Sequence, residues 1–279
     1  MRKNILFGVL ALTAVLTGCN SDEQKAGQLF QRAEIAYATG DYNLVKLQID
    51  SIRTLYPKAF EVRKAGIALM QRAELEEQKK TLAYLDSMMA VKQASLDSIK
   101  GNFVLEKDTA YQETGNYFYP TQVVERNIGR SFLRGQVSEA GEMSVTSIYC
   151  AGGSIHHTAV KVSVGDMFAQ TPDSPDSYET TDLGRNIEKA DYKLGNDGGV
   201  IAFITANRDK KNIRLEFIGD RNYTTYMQPN DVKAIAELSN LARILSGIEE
   251  IKKEQKEANL KIQFVTRKME EQEKNEANE

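Results

Sequence analysis

The 279 residues carry 36 Lys and Arg against 39 Asp and Glu, for a net charge of −3. That balance argues against a nucleic-acid ligand, because such affinity comes largely from neutralising phosphates. With two cysteines and two histidines the chain is not a disulfide-stapled scaffold, and a metal site built on three histidines is excluded.

The chain opens on Arg2 and Lys3, followed by a short apolar run from Ile5 to Leu16 and then by Gly18 and Cys19. This run is shorter than the roughly 20 apolar residues of a membrane span, so it reads as a removable secretion signal. Leu16-Thr17-Gly18-Cys19 resembles the lipobox of bacterial lipoproteins. The resemblance implies that residues 1–18 are removed and that Cys19, a strong nucleophile as thiolate, becomes the acylated N-terminus. One acyl chain binds a membrane marginally, and the several that this modification supplies hold stably. Asn20, directly after the cysteine, resembles outer-membrane lipoproteins of Gram-negative bacteria, and Asp22-Glu23 faintly resembles a surface-export signal. The expected location is therefore the cell envelope, lipid-anchored at the outer membrane through Cys19, facing either the periplasm or the surface. Once Cys19 is acylated, Cys150 has no disulfide partner.

Residues 19–100 are expected to form a helical region. Ala36-Tyr37, Gly40-Asp41-Tyr42 and Pro57 give residues 24–56 the spacing of one tetratricopeptide unit, which they resemble. Gly40 can leave the first helix through a left-handed turn and Asp41 can cap the second. Tyr42, Val45, Ile49, Ile52 and Tyr56 then step by three and four residues along one apolar face. Leu29 stands where the family usually has tryptophan, and Val45 where it usually has alanine. No break falls near residue 74, so the second unit runs on. Arrays of this kind need about three repeats, so the segment reads as an αα-hairpin and not as a peptide-binding groove.

From Lys58 to Ile99 only Gly66 interrupts a long helix, with Leu82, Leu85, Met89, Leu96 and Ile99 in a heptad-like seam and Lys92 in the vacant slot. A second long helix is expected over 229–272, started at Pro229 with Asn230 or Asp231 as cap. Its seam runs through Leu238, Leu241, Leu245 and Ile248. After a phase slip it continues through Ile251, Ala258, Ile262, Val265 and Met269. Neither helix can bury its stripe alone, so the two are expected to pair antiparallel as a coiled-coil-like stalk. Residues 273–279 read as a charged, frayed tail.

Between the helices, residues 101–228 are expected to form an antiparallel β domain, a sandwich or partly closed barrel of about seven to nine strands. Gly198 to Thr205 reads as an apolar strand, and Ile213, Leu215 and Phe217 alternate with charged residues as a half-buried one. With turns at Asn207–Asn212 and Gly219–Asn222 these form a three-strand meander. Gly152-Gly153 signals a hairpin in which Tyr149 faces His156, Val145 faces Val160 and Met143 faces Val162. The fold class is thus α+β.

That hairpin register would set Cys150 and His157 as diagonal neighbours about 7–8 Å apart, a nucleophile and a base for an envelope hydrolase. Ordinary strand packing explains both residues as well, and no catalytic residue is assigned. Asp173, Asp176 and Asp182, near Pro172 and Pro175, read as a solvated turn more readily than as a calcium loop, and no metal or cofactor is assigned. Gly195-Asn196-Asp197-Gly198-Gly199 lacks the helix and lysine of a phosphate cradle, and Arg208, Lys210 and Lys211 read as a solvated tip. Tyr117, Phe118 and Tyr119 form the densest aromatic run, in which Tyr117 and Tyr119 are the candidate rings for a glycan or peptide. The function expected is non-enzymatic: an interaction or structural role toward an envelope or surface protein partner, with glycan or peptide binding by the β domain as the alternative.

Overall fold

The computed structural model describes residues 16–108, 110, 113–182 and 184–277. Residues 1–15 of the expected leader lie outside that range. The protein is α+β: among the described residues there are five α-helices and two antiparallel sheets, and a closed barrel is not formed. Its described residues divide into two compact units, one reaching to Ser87 and resuming at Lys253, the other of residues 88–252. Among the described residues no helix is long and apolar enough to cross a membrane.

In the first unit, α1 (Leu16–Thr39) and α2 (Tyr42–Leu55) meet at Gly40, whose φ of +76° makes the left-handed exit expected from its place in the sequence. Asp41 caps α2, its carboxylate accepting from the Leu44 N–H at 3.0 Å. Val45, Ile49 and Ile52 are buried against Ala26, Ala33 and Ala36 of α1 and against Leu69 and Ala73 of α3 (Phe60–Ile99), and Tyr42 and Tyr56 pack on the same cluster. On the polar side Lys46 bridges Glu74 at 2.8 Å and Glu77 at 2.5 Å. The last helix, α5 (Pro229–Ala277), also ends in this unit, and it continues as helix to Ala277, into the segment expected to be a frayed tail. Its buried positions there are Ala258 and Val265, one heptad apart, as the second seam requires.

The second unit holds the ten strands. One sheet has the order β1-β2-β3-β4-β8-β7, formed by Val104–Glu106, Asn116–Phe118, Phe132–Ser138, Met143–Ala151, Arg185–Lys193 and Ser177–Asp182 respectively. The other has the order β10-β9-β5-β6, formed by Tyr223–Tyr226, Arg214–Ile218, Ala159–Val164 and Met167–Gln170. Alternation decides which side chains go inward: in β4, Met143, Val145, Ser147 and Tyr149 are buried, while Thr146, Ile148 and Cys150 face the other side. Residues from both sheets, from α5 between Val232 and Ile248, and from Leu96 and Phe103 share one core. Gly135 of β3 lies under α5, where a β-carbon would come 2.8 Å from Leu238 Cδ1, so the absence of a side chain lets Leu238 sit directly on the strand.

Three expectations are corrected. The run Gly198–Thr205 is not a strand: Val200–Ala206 is a short helix, α4, that buries Val200, Ile201 and Ile204. A brief apolar run does not by itself separate strand from helix. Here Asp197 settles it, its carboxylate accepting from the Ile201 N–H at 2.8 Å. Only the hairpin of β9 and β10, turning at Gly219–Asn222, remains of the meander. Nor does Gly152-Gly153 turn a hairpin, because β4 pairs with β3 and β8, whereas β5 pairs with β6 and β9. Tyr149, Val145 and Met143 therefore do not face His156, Val160 and Val162, and the segment from 152 to 158 crosses from one sheet to the other. At the start of α5, Asp231 pairs with Arg130 at 2.6 Å and does not cap the helix.

Candidate functional site

The crossing segment is held by one carboxylate. Glu188, at an inward position of β8 beside Ala190 and Tyr192, accepts from three successive backbone N–H groups. Its Oε1 takes those of Ile155 at 2.6 Å and His156 at 3.0 Å, and its Oε2 takes that of His157 at 2.8 Å. The same Oε2 accepts from His157 Nδ1 at 2.8 Å, and His157 Nε2 lies 2.7 Å from the Ser147 hydroxyl of β4. That hydroxyl also lies 3.3 Å from the Ala190 carbonyl. Tyr149 and Phe217 pack edge-on to the imidazole, with centroids at 6.3 and 5.2 Å.

Burial lowers the His157 pKa, and Glu188 opposes that shift without overcoming it. Burial alone would raise the Glu188 carboxyl; the bonds from His157, Ile155 and His156 outweigh it and hold the group below the ordinary carboxylate range. The cluster is therefore a neutral imidazole between a hydroxyl and a carboxylate. Its order, Ser147–His157–Glu188, is that of a nucleophile, base and orienting acid. Exposure decides against that chemistry: Ser147 is 0 % exposed, His157 2 % and Glu188 3 %. A substrate carbonyl cannot reach the Ser147 oxygen. Nearby, His156 adopts φ +51° and carries its ring outside, where Asp220 at 2.8 Å raises its pKa.

The residues singled out from sequence are dispersed. Cys150 faces the side of β4 opposite Ser147, so it does not meet His157, which is committed to Ser147 and Glu188. Tyr117 is 5 % exposed and belongs to the core, which removes it as a stacking surface; Tyr119 is half-buried edge-on to Phe103 at 6.1 Å, with the Lys233 ammonium 5.9 Å from its ring centre. Asp173 accepts from the Thr158 hydroxyl at 2.6 Å, and among the described residues no three His, Cys, Asp or Glu side chains gather as metal ligands. Asp197 belongs to the α4 start. Cys19 falls within α1.

On the outer face of the six-stranded sheet, the loop from Gln122 to Arg130 overhangs β3, β4 and β8 and leaves a cleft of about 140 Å³. Gln122 fixes the loop by acting as a strand would: its amide donates to the Leu133 carbonyl and accepts from the Gly135 N–H, both at 2.9 Å. Asn127 donates to the Thr121 and Val123 carbonyls at 2.9 and 2.8 Å and accepts from Arg130. Arg185 closes one end by donating to the Gly129 carbonyl at 3.1 Å. Inside, Arg134 stacks on Phe118 at 3.9 Å, and burial lowers its pKa against the opposing Glu106.

Comparison with known proteins finds no match: no family model, no curated protein and no solved structure is similar to the chain.

Proposed function

We propose that the chain is a lipid-anchored protein of the cell envelope, acylated at Cys19, with an interaction or structural role and no catalytic one. The observation that carries the interaction reading is an unburied apolar face on α2. Leu47 lies opposite the Val45, Ile49 and Ile52 stripe and is 61 % exposed, and Leu44 and Leu55 are exposed at the flanks of that stripe. Such patches mark contact surfaces when they are contiguous. The sealed position of Ser147 supports the non-enzymatic half of the reading. Within it, α3 and α5 pair antiparallel and the two sheets pack as a sandwich. The Gln255 amide reaches Asp86 at 2.7 Å, the Lys92 side chain lies against Gly247, and the Tyr149 and Phe217 rings meet across the sheets at 6.0 Å. In the alternative role, glycan or peptide binding by the β domain, Tyr119 is the ring that remains partly open.

Labelled palmitate tests the anchor: the full chain should incorporate it in a Gram-negative host and Cys19→Ala should not. A photo-crosslinker at Leu47 should give a discrete adduct in intact envelopes that one at solvent-facing Glu34 does not. Unlabelled protein with a persistent leader in the cytosol would sink the reading.

A further inference from the structure

The cleft under the Gln122–Arg130 loop is built as a small-molecule site. Its floor is the outer row of the sheet, where Ile148 and Cys150 of β4 stand beside Ile187 and Lys189 of β8 in direct register. Ile128 of the overhanging loop, largely exposed, supplies an apolar wall. The enclosed volume is close to that of an engineered cavity which accepts benzene, roughly 150 Å³.

Charge sets the class of occupant. Three cations line the cleft, Arg130, Arg134 and Lys189, against a single carboxylate, Asp182. Arg130 is already matched by Asp231. Arg134 is paired with Glu106 at 3.5 Å and donates through Nε to the Gln122 carbonyl at 3.2 Å, whereas Lys189 makes no ion pair among the described residues. One unpaired cation, Lys189, thus borders an apolar space, an arrangement suited to a ligand with a greasy body and one anionic oxygen group. We propose that this cleft binds a small organic monocarboxylate of about benzoate size, its body against Ile148 and Ile187 and its carboxylate toward Lys189. The site lies within one compact unit and does not depend on acylation of Cys19 or on a partner protein.

Cys150 in the floor supplies a reporter. In the full chain carrying Cys19→Ser it is the sole thiol, and its alkylation by iodoacetamide can be timed. Benzoate should slow alkylation at least threefold with saturable dependence, and benzamide, isosteric but neutral, should not. Lys189→Gln, at an exposed position that leaves the core intact, should raise the benzoate concentration for half-protection at least fivefold. Ile128→Glu, on the exposed loop wall, should abolish protection while the circular dichroism spectrum stays unchanged. Absence of saturable protection up to tens of millimolar benzoate overturns the proposal, as does equal protection by benzamide or undiminished protection in Lys189→Gln.

Discussion

Glu188 of β8 and His157, 31 residues apart, share a 2.8 Å hydrogen bond inside the core, and the same carboxylate holds the backbone of the segment that carries the histidine. The segment has no sheet partner of its own between Gly152 and Thr158, so Glu188 supplies acceptors that a neighbouring strand would otherwise give.

Removing that charge should be costly. Glu188→Gln keeps the shape but turns an NH₂ toward a backbone N–H, and Glu188→Ala leaves all four donors, three backbone N–H groups and His157 Nδ1, without this acceptor. Urea unfolding should show a loss of about 2–4 kcal/mol for the glutamine variant and more for alanine. A change within about 0.5 kcal/mol would mean that the segment is held by other means.

Acid should act on the same cluster in two stages. The folded pKa of His157 is depressed from its ordinary 6.5, so the unfolded chain takes up the proton first; its contribution is complete above pH 6.5 and declines as pH falls below it. Glu188 is likewise depressed, from 4.5, and its contribution is lost at lower pH still. His156, raised by Asp220, has the opposite sign: what it adds is present below 6.5 and disappears as pH rises through its folded value, and full exposure keeps it small. Melting temperature should therefore fall from about pH 6.5 downward, and His157→Asn should flatten the upper part of that fall while lowering stability throughout.

Two glycines with similar dihedrals should respond differently to alanine. Gly141, in the β3–β4 turn at φ +85°, would place a β-carbon 2.3 Å from the backbone nitrogen of Ser246 in α5, whereas Gly184 at φ +75° meets open space. Gly141→Ala should cost about 3 kcal/mol or more, through strain plus a backbone clash. Gly184→Ala should cost about 1–2 kcal/mol, from the left-handed conformation alone. Denaturant midpoints of the pair separate the two contributions.

On α2 the two faces should also part. Ile49→Ala empties a packed position and should cost about 2–4 kcal/mol. Leu47→Ser, on the open face, should stay within about 0.5 kcal/mol of the parent in unfolding while weakening any crosslink formed at that face.

Helical features were legible because their causes are local. Gly40, Asp41 and the Val45–Ile49–Ile52 stripe act within a turn or two of one another, and the α5 seam repeats every seven residues through Ile251, Ala258 and Val265. The sheets were less legible. Strand alternation places Ile213, Leu215 and Phe217 inward as expected, yet which strand lies beside β4 depends on β8, more than 30 residues later, and no local pattern records that. The Gly152-Gly153 signal lost to a long-range tie, the Glu188 carboxylate, which was hidden among 39 acids. One clue to it existed: Glu188, Ala190 and Tyr192 occupy one parity of a strand, so a glutamate on that face needs buried donors. Ser147 has the same parity as Val145 and Tyr149 and could have been paired with it by the same rule.

The sharing of one core between both sheets and the Val232–Ile248 stretch of α5 has a consequence for biogenesis. Every strand emerges from the ribosome before the helix that packs over Gly135, so the apolar interior stays incomplete until α5 has been delivered. A truncation before Val232 removes the α5 share of that core, and the product should be degraded or captured by holding chaperones.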